Sequence, residues 1–183
     1  MIAYFPKPLP DEILYSLIAR YGLHTHTTSY QPLMRDIYGI KSLETNIDLP
    51  GHMSLFSNST KRVLSLNSEE LINRYTLWPF YAHFIKKEKH KATIESIKKT
   101  GSKGIDLICG LRSSNIKRVK IPQYCPTCCL EDIDKFGEMY WHRKHQIPSI
   151  LICSKHNCYL ETAQLDGDLF TKKHQFINAS FKT

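Results

Sequence analysis

At 183 residues the chain is long enough to bury a hydrophobic core as one domain or two small ones, and 42% hydrophobic with 23% charged residues is ordinary for a folded protein. The longest apolar run, Ile147 to Cys153, is interrupted by Pro148 and Ser149, and the opening Met1-Ile2-Ala3-Tyr4-Phe5-Pro6 lacks the basic-then-apolar pattern of a signal peptide. A membrane or secreted protein is therefore excluded, a cytoplasmic one is expected, and the formal net charge of +8 argues for a polyanionic partner.

A Pro-rich lead-in, Phe5-Pro6-Lys7-Pro8-Leu9-Pro10, precedes a helix expected from Asp11, where Asp11 and Glu12 suit the positive end of the helix dipole. Ile13, Leu14, Leu17, Ile18 and Tyr21 fall on one helical face, and Gly22 with the polar stretch to Thr28 ends it. Ser29 is the expected N-cap of a second helix running to Tyr38, with Leu33, Met34, Ile37 and Tyr38 inward and Gly39 as its stop. Two short helices across a polar turn make a candidate helix-turn-helix, although the connection is longer than that motif's usual three or four residues.

After the turn at Leu49-Pro50-Gly51, a short helix is expected over His52–Asn58. Asn67 and Glu70 have the spacing of a capping box, opening a helix with Leu71, Ile72, Tyr75 and Trp78 inward until Pro79 breaks it. The rings of Phe80, Tyr81 and Phe84, with Ile85, lie at helical spacing and read as core, with base stacking as the alternative use. Glu88–Thr100 and Ile105–Ser113 read as two more helices, split by Gly101-Ser102-Lys103-Gly104, and Cys109 as a small core residue.

The charge excess is local. Between Lys86 and Lys120 eleven Lys and Arg face only Glu88, Glu95 and Asp106, while fourteen basic and fourteen acidic residues balance elsewhere. Such a concentration is the footprint of a phosphate-backbone binder. Lys86, Lys87, Lys98, Lys99, Lys103, Arg112, Lys117, Arg118 and Lys120 are the candidate contacts, extended by Arg143 and Lys144; Arg112, Arg118 and Arg143 carry the bidentate donors suited to guanine.

From Tyr124 helical periodicity fades into short β-like runs, Met139-Tyr140-Trp141 and Ile150-Leu151-Ile152, with one or two helical turns over Leu130–Phe136. Here stand Cys125-Pro126-Thr127-Cys128 and Cys153-Ser154-Lys155-His156, a CxxC and a CxxH separated by 24 residues (129–152). Two-residue spacing lets both side chains of a tight turn aim at one point, and two such turns complete a tetrahedron around Zn²⁺. Three thiolates and an imidazole leave no vertex for water, so the expected zinc site is structural. Cys129 and Cys158 lie close enough to be alternative ligands, as do His142 and His145 at HxxH spacing, which read more naturally as hydrogen-bonded histidines. Tyr140 and Trp141 are expected to pack on the metal knuckles.

The fold expected is mainly α: a helical part over 1–121 with its basic segment at 86–120, a zinc-ribbon-like or treble-clef-like β-rich module over 122–163, and a tail or linker over 164–183.

These blocks resemble a known family. Tyr124-Cys125-Pro126-x-Cys128, Tyr140-Trp141-x-Arg143-x-His145-Gln146-Ile147-Pro148 and Cys153-x-Lys155-His156 are similar to the TniQ/TnsD family of bacterial transposon target-selection proteins. Phe5-Pro6-x-Pro8-x-x-Asp11-Glu12-Ile13-Leu14-Tyr15-Ser16-Leu17-Ile18-Ala19-Arg20 resembles its opening motif, and Thr76-Leu77-Trp78-Pro79-Phe80-Tyr81 a middle motif of the TnsD branch. The resemblance implies a Cys-Cys-Cys-His zinc site at Cys125, Cys128, Cys153 and His156. It further implies binding to an attachment site in double-stranded DNA, engagement of an AAA+ ATPase and other transposase subunits, and a bacterial, nucleoid-associated setting. Members of the TnsD branch continue well past this module.

Three functions compete at this point. The first is DNA-target recognition in transposition. The second is a zinc-containing adaptor with only non-specific DNA contact. A zinc enzyme is disfavoured, since no HExxH, Gly-rich phosphate loop or serine elbow occurs.

Overall fold

The computed structural model describes residues 2–27, 29–100, 118–164 and 176–179. The expected helix at Ile105–Ser113, Cys109, Lys103, Arg112, Lys117 and most of the tail lie outside them.

The first helix, α1 (Leu14–His24), sits at the centre, buried on every side from Leu14 to Gly22. It begins later than expected from Asp11. Asp11 takes a left-handed φ of 57°, and Glu12, fully buried, folds its carboxylate back onto the Leu9 amide, the Ser16 hydroxyl and Arg20. The residues before Leu14 are thus held out of the helix, with Ile13 extended and its amide donating to the Trp141 carbonyl at 3.1 Å.

Around α1 lie α2 (Tyr30–Tyr38), α3 (Met53–Leu64), α4 (Ser68–Tyr75), α5 (Trp78–Ala82) and α6 (Lys87–Lys99). Gly39 stops α2 at a φ of 69°, its amide donating to the Arg35 carbonyl, the left-handed C-cap that glycine allows. The α3 helix runs past the expected Asn58 to Leu64 because no breaker intervenes and Phe56 and Thr60 continue the buried face; a left-handed Ser65 ends it. Both halves of the Asn67–Glu70 capping box are made. Pro79 enters the first turn of α5, where it costs no hydrogen bond, and Thr76 caps the break by accepting from the Trp78 amide. Of the expected aromatic cluster Tyr81 is fully buried and Phe80 half-buried, whereas Phe84 is 63% exposed. The α3 helix packs against α2, α4 and α6.

Downstream come β1 (Gln123–Tyr124), α7 (Pro126–Phe136), a 3₁₀ turn (Arg143–Gln146) and β2 (Glu161–Thr162). The two strands pair antiparallel, Gln123 against Thr162 and Tyr124 against Glu161. The helix starts four residues before the expected Leu130 because Pro126 is preset for its first turn and Cys125 caps it.

Tyr140 and Trp141 depart from their expected place. Trp141, 2% exposed, belongs to the main core with α1 rather than to the small cluster of cysteines and Leu160. Its amide donates to Ser16 Oγ, its indole to the Ile177 carbonyl, and the Tyr140 hydroxyl to the Pro10 carbonyl. An antiparallel bridge between Glu12 and His142 completes the junction. The cause is α1 itself: a helix buried on every side from Leu14 to Gly22 needs more cover than its helical neighbours supply, and the Trp141 ring joins that cover. Arg20, nearly buried, ties the same surfaces together by bridging Glu12 and Glu138. Among the described residues no helix is long and apolar enough to cross a membrane.

Candidate metal centre

The CxxC knuckle is the start of α7. Cys125 is its N-cap, with Sγ accepting from the Cys128 amide at 3.4 Å, and Cys128 lies in the first turn where the helix dipole favours a thiolate. The CxxH knuckle closes a hairpin: the Cys153 amide donates to the Cys158 carbonyl and the Asn157 amide to the Cys153 carbonyl, both at 2.8 Å. Asn157 makes the reversal at a φ of 53°.

These turns bring together the four residues singled out by spacing. One ligand atom from each of Cys125, Cys128, Cys153 and His156 lies within 4.8 Å of all the others. His156 Nδ1 is 3.3 Å from Cys125 Sγ, 3.4 Å from Cys128 Sγ and 3.7 Å from Cys153 Sγ, while Cys128 and Cys153 sulfurs are 3.8 Å apart. A tetrahedral ion with bonds of about 2.0–2.3 Å to nitrogen and sulfur needs donor separations of this size. The cysteines are buried and His156 half-buried. Against the burial that raises it, the Cys128 amide and neighbouring thiols hold the Cys125 thiol below its ordinary value, whereas burial and the same thiols push Cys128 up. Thiols packed this closely ionise together only beside a cation. Donor chemistry, spacing and electrostatics all fit a metal ion.

A second layer orients the imidazole. Its Nε2 lies 3.2 Å from Glu131 Oε1, and the other oxygen of Glu131 pairs with Lys155. Nδ1 is thereby left for a metal, in the carboxylate–histidine arrangement common to metal sites. Lys155 first, then His156, hold the Glu131 carboxyl below its usual range.

The other candidate ligands separate. His142 bonds the Asp132 carboxylate at 2.8 Å and stacks on Tyr140. His145 Nε2 stands 4.0 Å from Cys128 Sγ, outside the four-donor group, with Nδ1 buried and unpartnered. Burial, then the charges of His142, Lys144 and His156, bring its pKa down to about 3, so the neutral ring can donate toward sulfur. Cys129 is buried and its thiol is pushed up to about 12, chiefly by burial. Cys158 Sγ lies 3.3 Å from Cys125 Sγ. Spacing overlooked Glu131, which its sequence context presents as a solvated helix start; its signal was its position one helical turn beyond Cys128.

The basic residues fall into two groups. Lys86, Lys87, Lys99 and Lys120 are exposed, as are Lys89 and Lys91, which the sequence presents only as part of the charge excess. Lys99 lies 3.4 Å from Glu95, and Lys98 bonds Glu69 and Glu95. Arg118 is engaged inward, its guanidinium on the buried Asp48 carboxylate and Asn46. Arg143 donates to the Asn73 and Arg74 carbonyls and lies 3.5 Å from Asp11. Lys144 is half-buried beside it, its amide donating to Asp11.

Comparison with known proteins follows the same map. The sequence model of the TniQ family matches residues 3–160, a span holding α1 through α7 and all four donors. The chain is 28% identical over 172 residues to the transposon Tn7 transposition protein TnsD of Escherichia coli. That match covers 94% of this chain but only 33% of the relative, so the chain spans about a third of that protein's length.

Proposed function

The chain belongs to the TniQ family, and on that premise we propose that it is a target-site selection protein of a transposon. In this reading it recognises an attachment site in double-stranded DNA and recruits the transposition machinery through an AAA+ ATPase and other transposase subunits. The observation that carries the reading is the family match running unbroken through both the helical core and the four metal donors. It is a binding protein rather than an enzyme, acting inside the bacterial cell.

The ion is Zn²⁺ in this proposal, held by Cys125, Cys128, Cys153 and His156. Three thiolates and one imidazole are its preferred donors, and such a site supplies on the order of 10–16 kcal/mol to the fold around it. A four-donor set leaves no vertex for substrate, so the ion's role is to fix α7 against the 153–158 hairpin. Lys86, Lys87, Lys89, Lys91 and Lys99, along α6, with Lys120 and Lys144, neutralise phosphates. Lys98, Lys103, Arg112 and Lys117 belong to the same proposed contact set. Arg118 and Arg143, engaged with carboxylates and carbonyls, contribute field and positioning more than base contacts. The α1–α2 pair remains the candidate helix-turn-helix, in which α2 would offer Gln31 and Arg35 to a groove.

A second reading has its own observation. Leu130, Ile133, Ile150, Leu151, Ile152 and Tyr159 are all 40% or more exposed around the metal centre. Apolar exposure on that scale marks protein contact rather than phosphate contact, and favours an adaptor with non-specific DNA binding. Competition binding separates the two: duplex from the element's insertion locus against a scrambled duplex. Selective binding supports target recognition, and equal affinity moves the assignment to the adaptor.

A further inference from the structure

Beside the four-donor group stands a further thiol, Cys158, whose sulfur lies outside that group but next to Cys125. Cys158 Sγ lies 3.3 Å from Cys125 Sγ, nearer than the sulfurs of Cys128 and Cys153 lie to each other at 3.8 Å. The hairpin holds it there. The Cys153 amide donates to the Cys158 carbonyl, the Leu160 amide donates to the Leu151 carbonyl, and Ile152 pairs with Tyr159, so Cys158 rides on the strand zipped to a ligand's own strand. With Leu160 it completes the small apolar cluster formed by the three ligand cysteines.

His156 is the most replaceable of the four donors. It reaches the cluster from a two-stranded tip, and what orients it is Glu131, a side chain 45% exposed. Its Nδ1 is 3.3 Å from Cys125 Sγ, the same separation as Cys158 Sγ, so both donors border one sulfur.

We propose that Cys158 is a reserve ligand of this centre, taking the fourth vertex when His156 withdraws and turning a three-sulfur, one-nitrogen site into a four-sulfur one. The proposal rests on the reading that Cys125, Cys128, Cys153 and His156 hold a metal ion. The exchange balances without an oxidant: the sulfur–metal bond forms as the Cys158 proton leaves to solvent, and the nitrogen–metal bond breaks to give free imidazole. A bound cation favours this deprotonation. His145 is the rival reserve, but it lies farther from its sulfur, at 4.0 Å, and is fixed in the 3₁₀ turn, nearly fully buried beside His142.

The test is Co²⁺ titration of the full chain, followed by Zn²⁺ displacement. Bound equivalents are counted, and the thiolate charge-transfer band grows with each sulfur on the ion. The wild-type chain and Cys158→Ala should each bind one equivalent with the same three-sulfur spectrum. His156→Ala should still bind one equivalent, with the band increased by a fourth sulfur. The double variant His156→Ala/Cys158→Ala should lose that increase and bind more weakly than His156→Ala by more than the roughly 10–100-fold typical of outer-shell losses. His156→Gln, which keeps a polar side chain against Glu131, should behave as His156→Ala and guards against a folding defect. The proposal is overturned if neither His156 variant holds Co²⁺, or if the His156→Ala spectrum persists without Cys158 or disappears only when His145 is also replaced. A wild-type chain that binds no Co²⁺ overturns the metal reading beneath it instead.

Discussion

Glu131 sits on an exposed helix turn, yet one of its oxygens faces His156 and the other Lys155. At this scale the ligands and their supports behave differently under substitution. Cys153→Ser, made together with Cys158→Ala so that the reserve thiol cannot substitute, should abolish stoichiometric zinc and loosen the 153–158 hairpin, seen by metal analysis and circular dichroism; retention of one equivalent would contradict the assignment. Glu131→Gln should leave the ion bound but weaken it by about 10–100-fold, as loss of an outer-shell partner does, measured by competition with a chromophoric chelator. The convergence of the four candidate donors was legible because CxxC and CxxH encode it locally. Glu131 and Cys158 were not, since their approach depends on a hairpin folding back onto α7. Single carboxylates also set a pH dependence. The hydrogen bonds and charges of Arg20 and His24 outweigh burial and hold the Glu138 carboxyl below its ordinary 4.5. Its contribution is therefore present above about pH 4.5 and is lost as pH falls through the depressed value. Glu12, raised by burial against the pull of Arg20, works in the opposite sense. Glu138→Gln should flatten the acid limb of a stability–pH profile relative to the wild type; an unchanged limb would show that the Arg20 bridge carries no such weight.

Elements were most legible where one residue carries the boundary alone. Gly39 and the Asn67–Glu70 box did so, because a left-handed stop and a reciprocal cap are local facts, whereas the helix expected to run through Trp78 to Pro79 ends at Tyr75 and Pro79 falls inside the first turn of α5. Asn67→Ala should cost about 1 kcal/mol in chemical denaturation, and a change within error would mean that the cap is redundant with packing. The boundaries that differ from expectation are set at a distance. The α1 helix starts at Leu14 because a left-handed Asp11 and an extended Ile13, whose amide donates to the Trp141 carbonyl, hold the preceding residues out of the helix, and α7 reaches back to Pro126 because Cys125 caps it. The basic excess was legible as charge but not as surface. Arg118 is drawn onto the buried Asp48, while α6 presents Lys87, Lys89, Lys91 and Lys99 to solvent. Replacing Lys86, Lys87, Lys89 and Lys91 together by Ala should lower the salt slope of DNA binding by roughly one for each phosphate that is no longer neutralised, with the melting curve unchanged.

For the molecule as a whole, the metal region and the helical core meet on Trp141. Its ring belongs to the main core and its backbone bonds Ile13 and Ser16, so the region of Cys125, Cys128, Cys153 and His156 is tied to α1 and the segment before it through Tyr140, Trp141 and His142. That junction was not legible in the sequence: a tryptophan between two knuckles looks like their local core, and only α1's burial on every side explains why it turns the other way. Trp141→Ala should cost about 3–5 kcal/mol, and removing the metal should loosen the same junction. In the proposed function the chain binds DNA through a surface that depends on a fold braced by a metal ion at Cys125, Cys128, Cys153 and His156. This claim is tested most directly by measuring the affinity of the full chain for duplex DNA as a function of salt, zinc-loaded and after chelation. The loaded chain should bind tightly, with a log–log salt slope of several units, and chelation should bring a marked fall in affinity. A loaded chain whose affinity is flat in salt, or equal before and after chelation, would contradict the claim.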